Sequence, residues 1–296
     1  MQASNYNRIG ELAKSELILN KDGSAYHISL RDEHVKENVI VVGDMGRVER
    51  VSKHFDTVTD TIHNREFFTK IGVYKGKEIT VMSTGIGTDN IDIAVHELDV
   101  AVNIDPIKRE FREKKRSLNI IRIGTSGALQ EDIEVDSFVA GKYGLGFDGL
   151  LNFYDVKYDK EEISLRDAFI YHSAYPERLT KPYIVESNQD LRLKIAYGMT
   201  MGITATASGF YGPQGRILRL PLKYEELNSA YTSFEWKGER ITNFEMETSA
   251  LYGLSSLLGH NAVTVCAIIA NRLRGEFSAD YKKTVDGLIE TVLDRL

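Results

Sequence analysis

Eight residues of turn-rich chain, GFYGPQGR (209–216), set an aromatic face, an amide and a guanidinium close together. The ring of Phe210 or Tyr211 can stack on a flat heterocycle. The Gln214 amide offers an acceptor and two donors to an imide edge, and Arg216 adds donors only. A uracil ring shows O2, N3–H and O4 along one edge, so this set of groups could answer it in full. A glycine- and proline-rich surface loop with a solvated Gln and Arg is the plain alternative. Two other stretches pair an arginine with glycine turns. GDMGR (43–47) exposes Gly43 amides and Arg47 at a helix start, and IRIGTSG (121–127) supplies Arg122, Thr125 and more amides. Backbone N–H groups at a helix N-terminus with a bidentate arginine suit a tetrahedral anion such as phosphate. NFEMETSA (243–250) adds Glu245 and Glu247 at a strand end. A glutamate there can accept from both hydroxyls of a ribose cis-diol, with Met246 as polarizable surface under the sugar. The alternative for Glu247 is an interaction with a helix dipole. A metal is disfavoured because no His or Cys stands at ligand spacing.

Hydrophobic patterning supplies the elements that would carry these groups. NVIVVG (38–43) reads as a buried parallel strand, and DMGRVERVSKHF repeats Val48, Val51 and Phe55 at helical spacing. Residues 65–84 read as two strands joined at 75–76. Residues 85–103 read as a glycine turn into a helix carrying Ile93, Val95, Leu98 and Val100. NIIRIGTSGAL (119–129) is a third strand that ends in a Gly-Thr-Ser-Gly turn. Further elements are a capped helix over 188–199, a strand over 200–208 that delivers the aromatic loop, and a strand running into a helix over 239–259. They are followed by a buried strand over 261–271 and a closing helix over 278–296 with Tyr281, Val285, Leu288, Val292 and Leu296 on one face. Residues 15–30, which contain His27, read as a strand pair or an extended entry. Residues 104–117 read as a surface insertion whose KREFREKKR run (108–116) is a solvated helix face. Gly144, Gly146 and Gly149 fall in GxGxxG spacing, but no helical periodicity follows them, so a dinucleotide loop is set aside. Strands alternating with helices, without linker or repeat, predict one α/β domain over 1–296 around a mixed central sheet flanked by helices, with an N-terminal extension at 1–14. The glycine turns then lie at strand carboxyl ends, where open α/β sheets bind ligands.

Composition narrows the classes. With 296 residues, 42% hydrophobic, the chain can bury a large core. A net charge of −6, with no basic tract apart from KREFREKKR (108–116), argues against nucleic acid. No apolar run approaches the ~18 residues of a membrane span. The N-terminus lacks the apolar centre of a signal peptide, which predicts a cytoplasmic protein. Cys266 is the single cysteine and lies in an apolar run, which excludes an internal disulfide and predicts a buried thiol.

GDMGR, NREFFT, MSTGIG, IRIGTSGA, FYGPQGR, NFEMETSA and IIANR occur in this order from about residue 15 onward. In that order the chain resembles the nucleoside phosphorylase-I family, and within it the uridine phosphorylases. The resemblance implies a three-layer α/β fold and phosphorolysis of uridine with inorganic phosphate to uracil and ribose 1-phosphate. It implies Gly43, Arg47, Arg122 and Thr125 on phosphate, joined by Arg65 from a neighbouring subunit. Glu245, Met246 and Glu247 would hold the ribose, with the neighbour's His27 on the 5′-hydroxyl. Gln214 and Arg216 would read uracil beside Phe210, with Ile269 and Ala270 near the ring and Arg272 steadying the reading pair. No organic cofactor is implied. Glu66, Ile79 and Ser83 match a monovalent-cation site, K+ in some relatives, at a dimer interface. Met45 stands where the family has a proline, and Gly209 and the Gly-Pro at 212–213 alter the turn around Phe210. The assembly implied is a homodimer, or a hexamer of dimers, with shared active sites. Phosphorolysis of deoxyuridine, thymidine or a purine nucleoside, and a non-catalytic nucleoside-binding homologue, are the alternatives.

Overall fold

The computed structural model describes residues 2–3 and 10–296. Its principal strands are β1 (Asn38–Val42), β2 (Thr57–Asn64), β3 (Phe67–Tyr74), β4 (Lys77–Ser83), β5 (Asn119–Ala128), β6 (Phe138–Gly146), β7 (Tyr183–Glu186), β8 (Thr200–Thr206), β9 (Glu239–Glu245) and β10 (Asn261–Asn271). The helices are α1 (Met45–Ser52), α2 (Thr88–Asn103), α3 (Lys160–His172), α4 (Gln189–Ile195), α5 (Leu227–Ser233), α6 (Thr248–Leu258) and α7 (Tyr281–Arg295). No helix among the described residues is long and apolar enough to cross a membrane.

Alternation along β1 shows how the layers form. Val39 and Val41 face one side and pack with Ile91, Val95 and Leu98 of α2 and Leu251 and Leu254 of α6. Ile40 and Val42 face the other, against Val48 and Val51 of α1 and Leu288, Ile289 and Val292 of α7. The period of two in the strand therefore meets helical faces on both sides, which gives three layers. Each fully buried aliphatic side chain contributes about 1.5–3 kcal/mol.

The sheet is mixed, in spatial order β9-β8-β6-β10-β5-β1-β4-β3-β2, with β7 added antiparallel on β6. β5 runs parallel to both β1 and β10. At its far end β5 turns to pair with β9, Asn243 opposite Ala128 and Phe244 opposite Gly127. That pairing closes a circuit β5-β10-β6-β8-β9, a small barrel on whose strands Tyr143, Leu145, Ile203, Ile241 and Phe244 pack with Leu165 and Phe169 of α3 and Leu227 and Tyr231 of α5. At the amino ends of the parallel strands four asparagines form a row of side-chain bonds. Asn188 Nδ2 donates to Asn261 Oδ1 (2.8 Å), Asn261 to Asn119 (3.0 Å), and Asn119 to Asn38 (3.1 Å).

Several expectations change. The Gly-Thr-Ser-Gly stretch is strand rather than turn, because β10 continues beside it to Ala128 and β9 takes its other edge. The KREFREKKR run is not helical. Around Pro106 the chain forms a short hairpin, Ile104–Asp105 against Glu110–Phe111, and Arg109 reaches out to the carbonyls of Leu12, Ala13 and Leu17. The insertion thus fastens residues 12–17 to the domain. Residues 15–30 are neither a strand pair nor extended: they form successive turns with one bridge, Leu19 to Ala25. Of the closing helix face, Val285, Leu288, Val292 and Leu296 are buried while Tyr281 stays exposed. Residues 1 and 4–9 of the N-terminal extension lie outside the described residues.

The glycines in GxGxxG spacing serve packing. A Cβ on Gly144 would lie 2.8 Å from Ser249 Cα at the start of α6, and one on Gly146 would lie 2.4 Å from the Tyr183 ring.

Candidate active site

The carboxyl ends of β1, β5, β8, β9 and β10 surround a cavity of about 530 Å³. A volume of this size holds a small organic molecule with room for an ion. Gly43, Arg47, Arg122 and Thr125 line it from β1, α1 and β5. Glu245, Met246 and Glu247 line it from the β9–α6 junction, Phe210, Gln214 and Arg216 from the loop after β8, and Ile269, Ala270 and Arg272 from the end of β10.

Arg47 stands in the first turn of α1, whose N-cap Asp44 accepts from the Arg47 amide (2.9 Å). The Asp44 carboxylate also pairs with the Arg47 guanidinium at 3.2 Å. Burial pulls the Arg47 guanidinium below its ordinary value, Asp44 opposes this, and nearby Arg122 adds to it. An arriving anion would relieve that repulsion.

Arg122 projects from β5 and is 6% exposed. It pairs with Glu247 and lies 3.3 Å from Glu245. Burial opposes its charge, and the two carboxylates more than offset burial, so the guanidinium is held above its ordinary value. The carboxylates differ in their surroundings. Glu245 accepts from the amides of Glu247 (2.9 Å) and Thr248 (3.0 Å) and from the Thr206 hydroxyl (2.7 Å). It is therefore Glu245 that satisfies the first amides of α6. Glu247 turns to Arg122 and to the Gly87 amide at the start of α2 (2.7 Å). Burial pushes its carboxyl above the ordinary value, with Arg122 pulling down and Glu245 pushing up.

On the loop after β8, Arg216 Nη1 donates to Gln214 Oε1 (2.6 Å) and the guanidinium lies 3.8 Å from the centroid of the Phe210 ring. One face of that ring is thus covered by a cation. Tyr211 does not line the cavity. Gln214 is 3% exposed, and its carbonyl and that of Gly215 accept from Arg272. With one lone pair of Oε1 taken by Arg216, the Gln214 side chain still offers a second lone pair and two N–H donors.

His27 and Arg65 lie outside this cavity and beside each other. The Arg65 guanidinium sits over the Tyr26 ring, which contacts the His27 ring, and Asn64 Nδ2 donates to the His27 carbonyl (2.8 Å). His27 Nδ1 is 2.6 Å from the Glu97 carboxylate. Of the residues matched to a cation site, Ser83 donates to the Glu66 carbonyl (2.6 Å), whereas Ile79 is buried four residues back along β4. The three form no coordination shell within one chain.

Sequence reasoning left out several cavity residues. Asp44 had a signal, a helix N-cap followed three residues later by Arg47. Ile86 rides on the glycine turn before α2, and Ser126 and Phe277 complete the wall. Asn271 also lines the cavity, but its side-chain amide donates to the Gln130 and Ile133 carbonyls (2.9 Å each) and accepts from the amides of Leu273 and Arg274. It fixes the turn that carries Arg272. Cys266 is buried, and burial lifts its thiol to about 11.

The sequence model of the phosphorylase superfamily matches residues 37–294. A uridine phosphorylase of Thermococcus kodakarensis is 30% identical over 269 residues, 89% of this chain and 83% of that protein. A DeoD-type purine nucleoside phosphorylase of Bacillus cereus is 27% identical over 278 residues, 90% of this chain and 97% of that protein. The crystal structure of a Trypanosoma brucei nucleoside phosphorylase with uridine phosphorylase activity aligns at a TM-score of 0.87 and 26% identity, covering 95% of this chain and 99% of that one.

Proposed function

The chain belongs to the phosphorylase superfamily, and from that premise we propose that it cleaves uridine with inorganic phosphate to give uracil and ribose 1-phosphate. The observation that carries the reading is one cavity holding the Arg47 and Arg122 guanidinium groups, the Glu247 carboxylate and the Gln214–Arg216 pair. Phosphate takes Arg47, Arg122, Thr125 and the amide of Gly43. The ribose hydroxyls take Glu247, with Met246 beneath the sugar. Uracil N3–H donates to the free lone pair of Gln214 Oε1, while Gln214 Nε2 and Arg216 donate to its carbonyl oxygens.

As the glycosidic bond breaks, its electron pair leaves with N1 and spreads to O2 and O4, where those donors meet it. A phosphate oxygen then forms the new bond to C1′. Removing one such preorganised donor costs on the order of 3–4 kcal/mol of transition-state stabilisation. A purine base is disfavoured because Asn271 spends its amide on main-chain groups and offers nothing to a second ring. Arg65 and His27 stand together away from the cavity, which supports their serving the site of a second copy in a homodimer. Glu66 and Ser83 belong to the same region, and a potassium ion held there between two copies is part of this reading.

Base release from uridine and from inosine, each with and without phosphate, tests the proposal. Uracil release that requires phosphate is expected, with inosine turned over poorly. Equal cleavage without phosphate, or a preference for inosine, overturns it.

A further inference from the structure

We propose that Thr206 is a positioning residue for phosphate capture, acting through Glu245 on Arg122; the proposal rests on the phosphorolysis reading above. Thr206 ends β8, is fully buried and does not line the cavity. Its hydroxyl donates to Glu245 Oε1 (2.7 Å) and accepts from the Ser249 amide (3.0 Å). Ser249 continues the chain of contacts, its hydroxyl bonding Asp148 (3.0 Å) and lying 3.0 Å from the Tyr183 hydroxyl, which also bonds Asp148 (2.8 Å). One small hydroxyl therefore ties together the end of β8, the carboxylate at the end of β9 and the first turn of α6.

The division of work between the two glutamates explains why this tie matters. Arg122 is buried between Glu245 and Glu247. If phosphate is to take one edge of the guanidinium, Glu247 must let go of it and turn to the ribose, and among the described residues Glu245 is then the carboxylate left paired with Arg122. Glu245 can hold the guanidinium in place only if its own carboxylate is fixed, and among the described residues the Thr206 hydroxyl is the one side-chain donor besides Arg122 that fixes it. The remaining contacts are backbone amides of α6. A hydrogen bond to a charged group in a buried site is strong and geometrically demanding. Without the hydroxyl, Glu245 is held only from the side of the α6 turn, by the amides of Glu247 and Thr248, and Arg122 follows any shift of the carboxylate. The base-reading pair hangs on Arg272 and on the loop beyond Ala207, so it is not moved by the same loss.

The experiment compares the full chain with Thr206→Val, which keeps the shape and loses the hydroxyl, and Thr206→Ser, which restores the hydroxyl. Uracil release is measured against phosphate concentration at saturating uridine, uracil binding by calorimetry, and folding by thermal melting. Thr206→Val is expected to raise the KM for phosphate about tenfold or more, while its Kd for uracil stays that of the wild type, and Thr206→Ser is expected to bring the phosphate KM most of the way back. If Thr206→Val does not fold, Thr206→Ala, which adds no bulk, is judged on the same criteria. An unchanged phosphate KM, a parallel loss of phosphate and uracil binding, or no rescue by serine in a folded protein each overturns the role of Thr206. A wild-type chain that releases no uracil with phosphate instead overturns the phosphorolysis reading itself.

Discussion

The Arg122 guanidinium and the Glu247 carboxylate, one from the middle of β5 and the other from the turn into α6, are paired to each other inside the cavity. Each is the other's counter-ion while no ligand is bound, and under the proposed phosphorolysis each is wanted by a different substrate. An anion that draws Arg122 away frees Glu247 to accept from a hydroxyl, so the two substrates should bind with positive coupling. Sulfate can stand in for phosphate without turnover. Saturating sulfate is expected to tighten uridine binding about fivefold or more, with uridine tightening sulfate equally. Glu247→Gln should abolish the coupling. Calorimetry showing uridine affinity unchanged or weakened by sulfate would speak against it.

Glu247 should also discriminate between sugars. Glu247→Gln is expected to lower kcat/KM for uridine about tenfold more than for 2′-deoxyuridine, because only uridine carries the hydroxyl that loses its charged acceptor. Equal losses would remove Glu247 from the 2′-hydroxyl.

A pH dependence follows from the same carboxyl. Burial raises it, so it takes up a proton at a higher pH than an exposed glutamate does. The acceptor is present above that raised value and is lost as pH falls through it. The ratio of kcat/KM for uridine to that for 2′-deoxyuridine cancels the ionisation of phosphate. It is expected to fall on acidification in the wild type and to stay flat in Glu247→Gln. A flat wild-type ratio down to pH values near the ordinary glutamate range, about 4, contradicts the assignment.

Sharing of the site between copies can be read by complementation. Arg65→Ala and Arg122→Ala should each be inactive, and in a mixed dimer one site regains both arginines. Random exchange makes half the dimers mixed, so about a quarter of wild-type activity should return for a two-fold dimer. Exchange proven by mass spectrometry with no recovery would put Arg65 at work in its own chain or nowhere at the site.

Gly144→Ala tests the seat of α6. Its methyl would meet Ser249 backbone that cannot yield, which should cost about 1–3 kcal/mol and lower kcat/KM through Glu247. A melting curve and kinetics that match the wild type would show that α6 has room to move.

Strands with continuous apolar runs, β1 and β10 above all, were legible in the sequence because both faces meet helices and no charged position interrupts them, with Thr264 the one polar residue between Ala262 and Ala270. β6 was not legible as a strand. Gly141, Gly144 and Gly146 break its apolar pattern, and they are glycines because Tyr252, Ser249 and Tyr183 press against the backbone there. β2 escaped for the opposite reason, since it is a sheet edge with its residues largely exposed and polar. α3 buries only Glu162, Leu165 and Phe169, too thin a stripe to stand out. In the site, Arg47, Gln214 and Arg216 announced themselves by side-chain chemistry beside turn glycines, and Arg122 and Glu247 by charge within or at the end of a strand. The part Glu245 plays in holding α6 and Arg122 depends on Thr206, 39 residues away in sequence, and no local pattern encodes that meeting. The covering of the Phe210 ring by Arg216 is likewise a matter of tertiary placement.

The row of asparagines at the opposite end of the sheet has a direction, since every amide hands its hydrogen on toward Asn38. Ageing by deamidation would therefore not strike its members equally. At Asn38, the terminal acceptor, a carboxylate would go on accepting from Asn119 and hold it more firmly. At Asn119 or Asn261 the same chemistry would leave two oxygens facing each other across neighbouring strands. The row takes the loss of an amide at its receiving end without rearrangement, whereas a loss upstream is met only if every amide between it and the Asn38 end turns over to donate the other way.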